Sequence, residues 1–196
     1  MAKKDIKASL LAGFLFAVLI NILSFSFELQ IPYLWTGILL VPLAAVLGIY
    51  IASLIGKRIP MFFQLVKFLV VGTLNTLMDI GMLNLLMYTS GITAGPWFSV
   101  FKGVTFIGAL FHSYLWNGTW TFQTQSLFQK KEFASFALVS GIGFLLNITI
   151  ASVIVNFIGP QFGISDKIWA NVGALTATAT VFTWNFLGYK LIVFKK

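Results

Sequence analysis

The chain has 196 residues, of which 59% are hydrophobic and only 9% charged. A soluble domain of this size carries about 25% charged residues, so the composition excludes an ordinary soluble fold and leaves little chain for a separate soluble catalytic domain. The absence of cysteine excludes disulfides, thiolate metal sites and thiol nucleophiles.

Charge-free windows at 8–27, 29–56, 103–129 and 133–165 are each long enough to span a bilayer as helix. Lys3, Lys4 and Lys7 followed by an apolar run resemble a signal peptide, but no small-x-small cleavage site precedes Glu28. This run is therefore expected to remain as a first span. Pro32, Pro60, Pro96 and Pro160 fall between apolar runs, while Pro42 lies inside one. The expected spans are 8–27, 33–56, 61–88, 97–119, 133–158 and 167–189. The fold class is thus all-α and integral to the membrane, with six transmembrane helices. With six spans, Lys3, Lys4, Lys7, Lys57, Arg58, Lys130, Lys131, Lys190, Lys195 and Lys196 share one face. Positive residues stay cytoplasmic, which predicts a multi-pass cytoplasmic (inner) membrane protein with both termini inside. Topology alone explains the net charge of +8, so nucleic acid is not an expected partner. The same basic face also suits anionic headgroups or lipid phosphates.

The second part of the chain repeats itself. Phe68-x-x-Val71-Gly72 returns as Phe136-x-x-Val139-Ser140, Asp79 as Asn147, Lys102 as Asn171 and Phe122 as Phe194. Each copy holds two spans, so both enter and leave on one side. This predicts an N-terminal hairpin over 1–60 and two parallel two-helix repeats over 61–196, the first at 61–122 and the second at 133–194.

Asp79 lies roughly 13 Å below the outer surface of its span and Lys102 roughly 9 Å below it on the next helix. Charges at such depth pair or face a cavity, so an Asp79–Lys102 ion pair inside the bundle is expected. Two readings remain open for it. It is a salt bridge locking two helices, or Lys102 receives a substrate phosphate that Asp79 helps to hold or release. Asn75 shares the face of Asp79, one turn earlier. Lys102, Thr105, Ala109, Ser113, Trp116 and Trp120 form a stripe along the next span, suited either to helix packing or to a path for a polar headgroup. His112, the only histidine, suits a hydrogen bond to a neighbour, with a pH-tuning role as the alternative. Gly72, Gly81, Gly103 and Gly108 serve either internal packing or self-association.

The Phe-Val-Gly opening, the Asp79-x-x-x-x-Asn84-Leu-Leu run and the Tyr114-x-x-Asn117-x-x-Trp120-x-Phe122 ending resemble the GtrA-like family over roughly 62–196. These are small membrane proteins linked to glycosylation of cell-surface polysaccharides. The resemblance implies movement of polyprenyl phosphate (such as undecaprenyl phosphate) or a polyprenyl-phosphate-linked sugar, that is, a flippase. It also implies a membrane glycosyltransferase as partner. The candidate substrate-binding residues are Asp79, Lys102, Asn75, Thr105, His112, Asn117, Trp120, Asn147, Asn171, Asn185 and Lys190. The chain departs from the family in its extra hairpin and in Gly118, which follows Asn117 where the family often has a basic residue.

A second reading is a non-transporting scaffold that presents the carrier lipid to a glycosyltransferase. An enzyme is not expected: metal-dependent phosphoryl chemistry needs clustered carboxylates, and the five acids here are scattered. No catalytic residue, metal or cofactor is therefore expected. Without a nucleotide-binding loop, transport would be facilitated or coupled to an ion gradient. So thin a bundle makes homo-oligomerisation a natural way to enclose a glycan head.

Overall fold

The computed structural model describes residues 1–26, 30–91, 95–125, 127–163 and 166–195. Among these, six α-helices follow in order: α1 (Lys3–Ser26), α2 (Gly37–Gly56), α3 (Pro60–Ser90), α4 (Gly95–Trp116), α5 (Lys130–Ser152) and α6 (Asp166–Gly188). A 3-10 turn over Leu34–Thr36 leads into α2, and π-helical turns at Asn117–Thr121, Val153–Ile158 and Tyr189–Val193 close α4, α5 and α6. Among the described residues, Lys3–Phe25, Leu34–Gly56 and Pro60–Ser90 are long and apolar enough to cross a membrane. The protein is an integral membrane protein of helical architecture.

The helix boundaries differ from hydropathy in an instructive way. α1 begins at Lys3, ahead of the apolar run, because lysine is a good helix former and Asp5 in the first turn complements the helix dipole. Hydropathy marks where the chain enters lipid, not where hydrogen bonding begins. α3 opens with Pro60 at its first turn, where no N–H is missed, and closes on Gly91 at φ 70°. Its 31 residues rise about 46 Å, more than the roughly 30 Å hydrocarbon core, so at least one end extends beyond the lipid tails unless the helix tilts strongly.

The chain forms two compact units, Met1–Gln123 and Thr124–Lys196. In the first, α1 packs on α2 and α3, α2 on α3, and α3 on α4. The expected hairpin over 1–60 thus shares a unit with the first two-helix repeat. α1 and α2 approach closely at Gly13, where a Cβ would lie 2.5 Å from the Pro42 Cα. Only glycine fits there. Ile49, Val71 and Trp120 form a buried cluster, with Ala8, Phe63, Val66, Val70 and Trp116 packed around it. In the second unit α5 packs on α6, and a Cβ on Gly188 would lie 2.5 Å from Val139 Cγ1. Of the glycines singled out in the sequence, Gly81 faces the Leu19 side chain of α1 and Gly108 faces Met82, whereas Gly72 has open space beside it.

Candidate functional site

The most strongly built polar centre lies in the first unit, where α1, α3 and the π turn after α4 meet. Lys67, in the second turn of α3, is 2% exposed, and its Nζ donates to Asp5 Oδ1 at 2.5 Å. The indole Nε1–H of Trp120 donates to the same carboxylate oxygen at 3.1 Å. The other oxygen, Oδ2, accepts from the backbone N–H of Ala2 at 3.1 Å. The Lys67 ammonium also sits over the Phe63 ring, 4.2 Å from its centroid, and 5.6 Å from that of Trp120. Beneath Asp5, the fully buried Ser9 hydroxyl donates to the Asp5 carbonyl oxygen.

Local sequence explains each placement. Asp5 and Ser9 are four residues apart and share one face of α1. Phe63 and Lys67 stand in the same relation on α3. Trp120 belongs to the π turn Asn117–Thr121, in which the Phe122 N–H bonds back five residues to Asn117 O at 2.8 Å. A buried cation of this kind needs both an anion and hydrogen-bond partners, because an isolated charge does not leave water without a large penalty. Asp5 supplies the anion and the two aromatic faces cover the ammonium.

Sequence reasoning missed this pair. Lys67 is the single charge between Arg58 and Asp79, and Asp5 is the one acid among the N-terminal lysines. Those were the available signals, but the two residues are 62 positions apart and no local spacing links them.

The expected site residues fall as follows. Asp79 is half-buried on α3. The side chains of Lys102 and Asn171 lie outside the described residues, and with them the expected Asp79–Lys102 pair. Asn75 and His112 are brought together: the ring Nδ1–H donates to Asn75 Oδ1 at 3.3 Å. His112 Nε2 is buried without a hydrogen-bond partner among the described residues. Thr105 is fully buried on α4. Asn117, 1% exposed, donates through Nδ2 to the carbonyl oxygen of Ser113 at 2.9 Å and to its hydroxyl at 3.1 Å. The rings of His112, Trp116 and Trp120 follow one another along α4 and its closing π turn at centroid separations of 5.8 and 5.7 Å, so the expected stripe runs into the Lys67 centre.

In the second unit, Asn147 is half-buried on α5 and Asn185 Oδ1 is buried without a hydrogen-bond partner among the described residues. Lys190 lies in the π turn Tyr189–Val193, its Nζ 5.9 Å from the Phe186 ring centroid. In this region the Ser140 and Tyr189 hydroxyls bond at 2.7 Å, Trp184 Nε1–H donates to the Val139 carbonyl at 2.9 Å, and the Thr124 hydroxyl donates to the buried Glu132 carboxylate at 2.8 Å.

No curated protein and no solved structure matches the chain. The family model described as GtrA/DPMS, transmembrane domain, matches residues 67–194, about two thirds of the sequence. The matched region opens on Lys67 itself and closes on Phe194, the residue that caps the last π turn. On that match the chain belongs to the GtrA/DPMS transmembrane-domain family.

Proposed function

We propose that the protein is a translocase for polyprenyl phosphate or a polyprenyl-phosphate-linked sugar used in cell-surface polysaccharide glycosylation. The observation that carries this reading is a column of buried and half-buried polar groups inside the family domain. Thr105, His112 with Asn75, and Asn117 with Ser113 are spread over twelve residues of helix, roughly 18 Å. An anionic, hydrated headgroup on a long apolar tail needs such a column, because each polar group met on the way offsets part of its lost hydration. Asp79 and Lys102 are the further residues assigned to that path, with Lys102 as a phosphate partner near the outer end; in the second unit, Asn147, Asn171, Asn185 and Lys190 are assigned to headgroup binding. The headgroup is bound and moved, with no bond made or broken.

The proposed frame is six spans with both termini on the cytoplasmic side of the inner membrane, and two copies of one two-helix design after the hairpin. Local geometry supports the repeat. Phe68 meets Phe122 at 6.3 Å between ring centroids, and their sequence counterparts Phe136 and Phe194 meet at 6.1 Å. Val71 and its counterpart Val139 are both buried. Each copy ends in a π turn of five residues, closed by Phe122 in one and Phe194 in the other. A membrane glycosyltransferase is the proposed partner, and self-association the proposed way to enclose a sugar head.

Reconstitution into liposomes tests the reading. Purified protein should accelerate transbilayer movement of a labelled polyprenyl phosphate, unlabelled carrier should compete, and Lys102→Ala should slow it. A folded wild type that moves no lipid, yet co-purifies with a glycosyltransferase, would replace the translocase by the scaffold reading.

A further inference from the structure

We propose that Lys67 and Trp120 form a phosphate seat, that the Asp5 carboxylate is its resident anion, and that the first turns of α1 are the gate that an incoming lipid phosphate displaces. The ligand's identity as a lipid phosphate rests on the function proposed above; the seat and the gate rest on geometry alone.

Two donors converge on one oxygen. The Lys67 ammonium and the Trp120 indole N–H both point at Asp5 Oδ1. A cationic donor and a neutral donor aimed at a single oxygen also suit a phosphate, whose oxygens accept in the same manner. On the same π turn, Thr121 is 2% exposed and its hydroxyl oxygen has no hydrogen-bond partner among the described residues.

The two partners of the ion pair are not equally free to leave. Lys67 is 2% exposed, covered by the Phe63 and Trp120 rings, and held by backbone that lies past the first turn of α3, so its cation is the fixed partner. Asp5 lies in the first turn of α1, next to residues 1–4, all exposed. Fraying that turn delivers the carboxylate to water at the cost of few helical hydrogen bonds, since the ends of helices are where such bonds are weakest. A charge left alone in the seat is strongly unfavourable, so Asp5 leaves only when another anion takes its place. The exposed Lys3, Lys4 and Lys7 beside it would gather anionic headgroups at the entrance.

An exchange of this kind gives the N-terminal hairpin, which lies outside the matched family region, a task of its own. Without ligand, Asp5 keeps the seat neutral and closed. With ligand, phosphate replaces carboxylate and α1 is released.

The test is thermal stabilisation of the detergent-solubilised full chain by polyprenyl phosphate, with polyprenol and inorganic phosphate as separate arms. The wild type should be stabilised by polyprenyl phosphate and not by polyprenol. Asp5→Asn, which removes the competing charge, should bind roughly tenfold tighter, and Lys67→Gln roughly tenfold weaker. Equal or weaker binding by folded Asp5→Asn overturns the proposal. Trp120→Phe, which keeps the ring and loses the N–H, serves should Asp5→Asn not fold: several-fold weaker binding is expected, and unchanged affinity overturns the seat. Equal stabilisation by inorganic phosphate upholds the seat with free phosphate as its ligand.

The gate has its own readout, because the chain contains no cysteine. A Ser9→Cys variant should be protected from maleimide without ligand and become reactive with saturating polyprenyl phosphate; no change overturns the gate. Tighter binding by Asp5→Asn without transbilayer movement upholds the seat and removes the translocase. Movement by wild type with unchanged affinity in Asp5→Asn does the reverse.

Discussion

At the start of α3, Lys67 is buried against Asp5 and Trp120. Sixty-eight residues on, at the matching place in α5, Ser135 turns back on its own helix and donates to the Lys131 carbonyl at 2.9 Å. Trp120 is 1% exposed, whereas Ile192, its counterpart in the last π turn, is 59% exposed. Where Asn117 reaches Ser113, Tyr189 reaches Ser140 and stacks on Phe136 at 4.5 Å. The framing phenylalanines and π turns are alike, yet the first place holds a buried lysine, whereas the second has Ser135 there and a buried acid, Glu132, one turn earlier. The difference is the cover. α1 lies over the first place and brings an acid with it, so a lysine is tolerated there. The buried lysine is thus tied to the acid that α1 carries.

The comparison breaks most easily at the ion pair. Lys67→Met strands the Asp5 charge and should cost about 3–5 kcal/mol, read as a fall in unfolding temperature in detergent. Replacing both, as Asp5→Leu with Lys67→Met, should cost far less than the two single changes added together. Additive losses would mean that the residues do not act as a pair.

A smaller effect is expected at the close approaches. Gly13→Ala pushes a methyl group into Pro42 backbone and should cost about 1–3 kcal/mol. Gly188→Ala meets only the Val139 side chain and should cost less, since a side chain can turn aside. A reversal of that order would show that α1 and α2 separate more easily than the packing suggests.

The smallest effects sharpen the picture of the second place. Tyr189→Phe removes one hydroxyl pair and should cost about 0.5–1.5 kcal/mol. Ser135→Ala should change stability by no more than about 0.5 kcal/mol. A large loss from Ser135→Ala would mean that this position carries more than its sequence and contacts indicate.

Much of the architecture was legible from the order of residues. Pro60, Gly91 and the apolar runs place the helices to within a few positions, because they act through local backbone geometry. Asn75 with His112 was half legible: the sequence indicated a hydrogen-bonded histidine and a polar face around Asn75, but not that the two meet. The Asp5–Lys67 pair was not legible. Asp5 sits among lysines that already account for topology, and Lys67 lies near a helix start, where charge is cheap and draws less notice than Asp79 at greater depth. Pairing across 62 residues depends on how α1 settles against α3, and that is decided by Ala8 and the cluster around Val71 rather than by the charges.

One surplus residue in each π turn fixes where its closing phenylalanine lands. Phe122 and Phe194 bond back five residues rather than four, to Asn117 and Tyr189. Deleting a residue from 117–121 would restore α geometry and swing Phe122 about 100° around the helix axis, away from Phe68. The same arithmetic holds for Tyr189–Val193 and the Phe136 ring. Length is therefore constrained at these two places independently of side-chain identity: the segments should accept very few insertions or deletions.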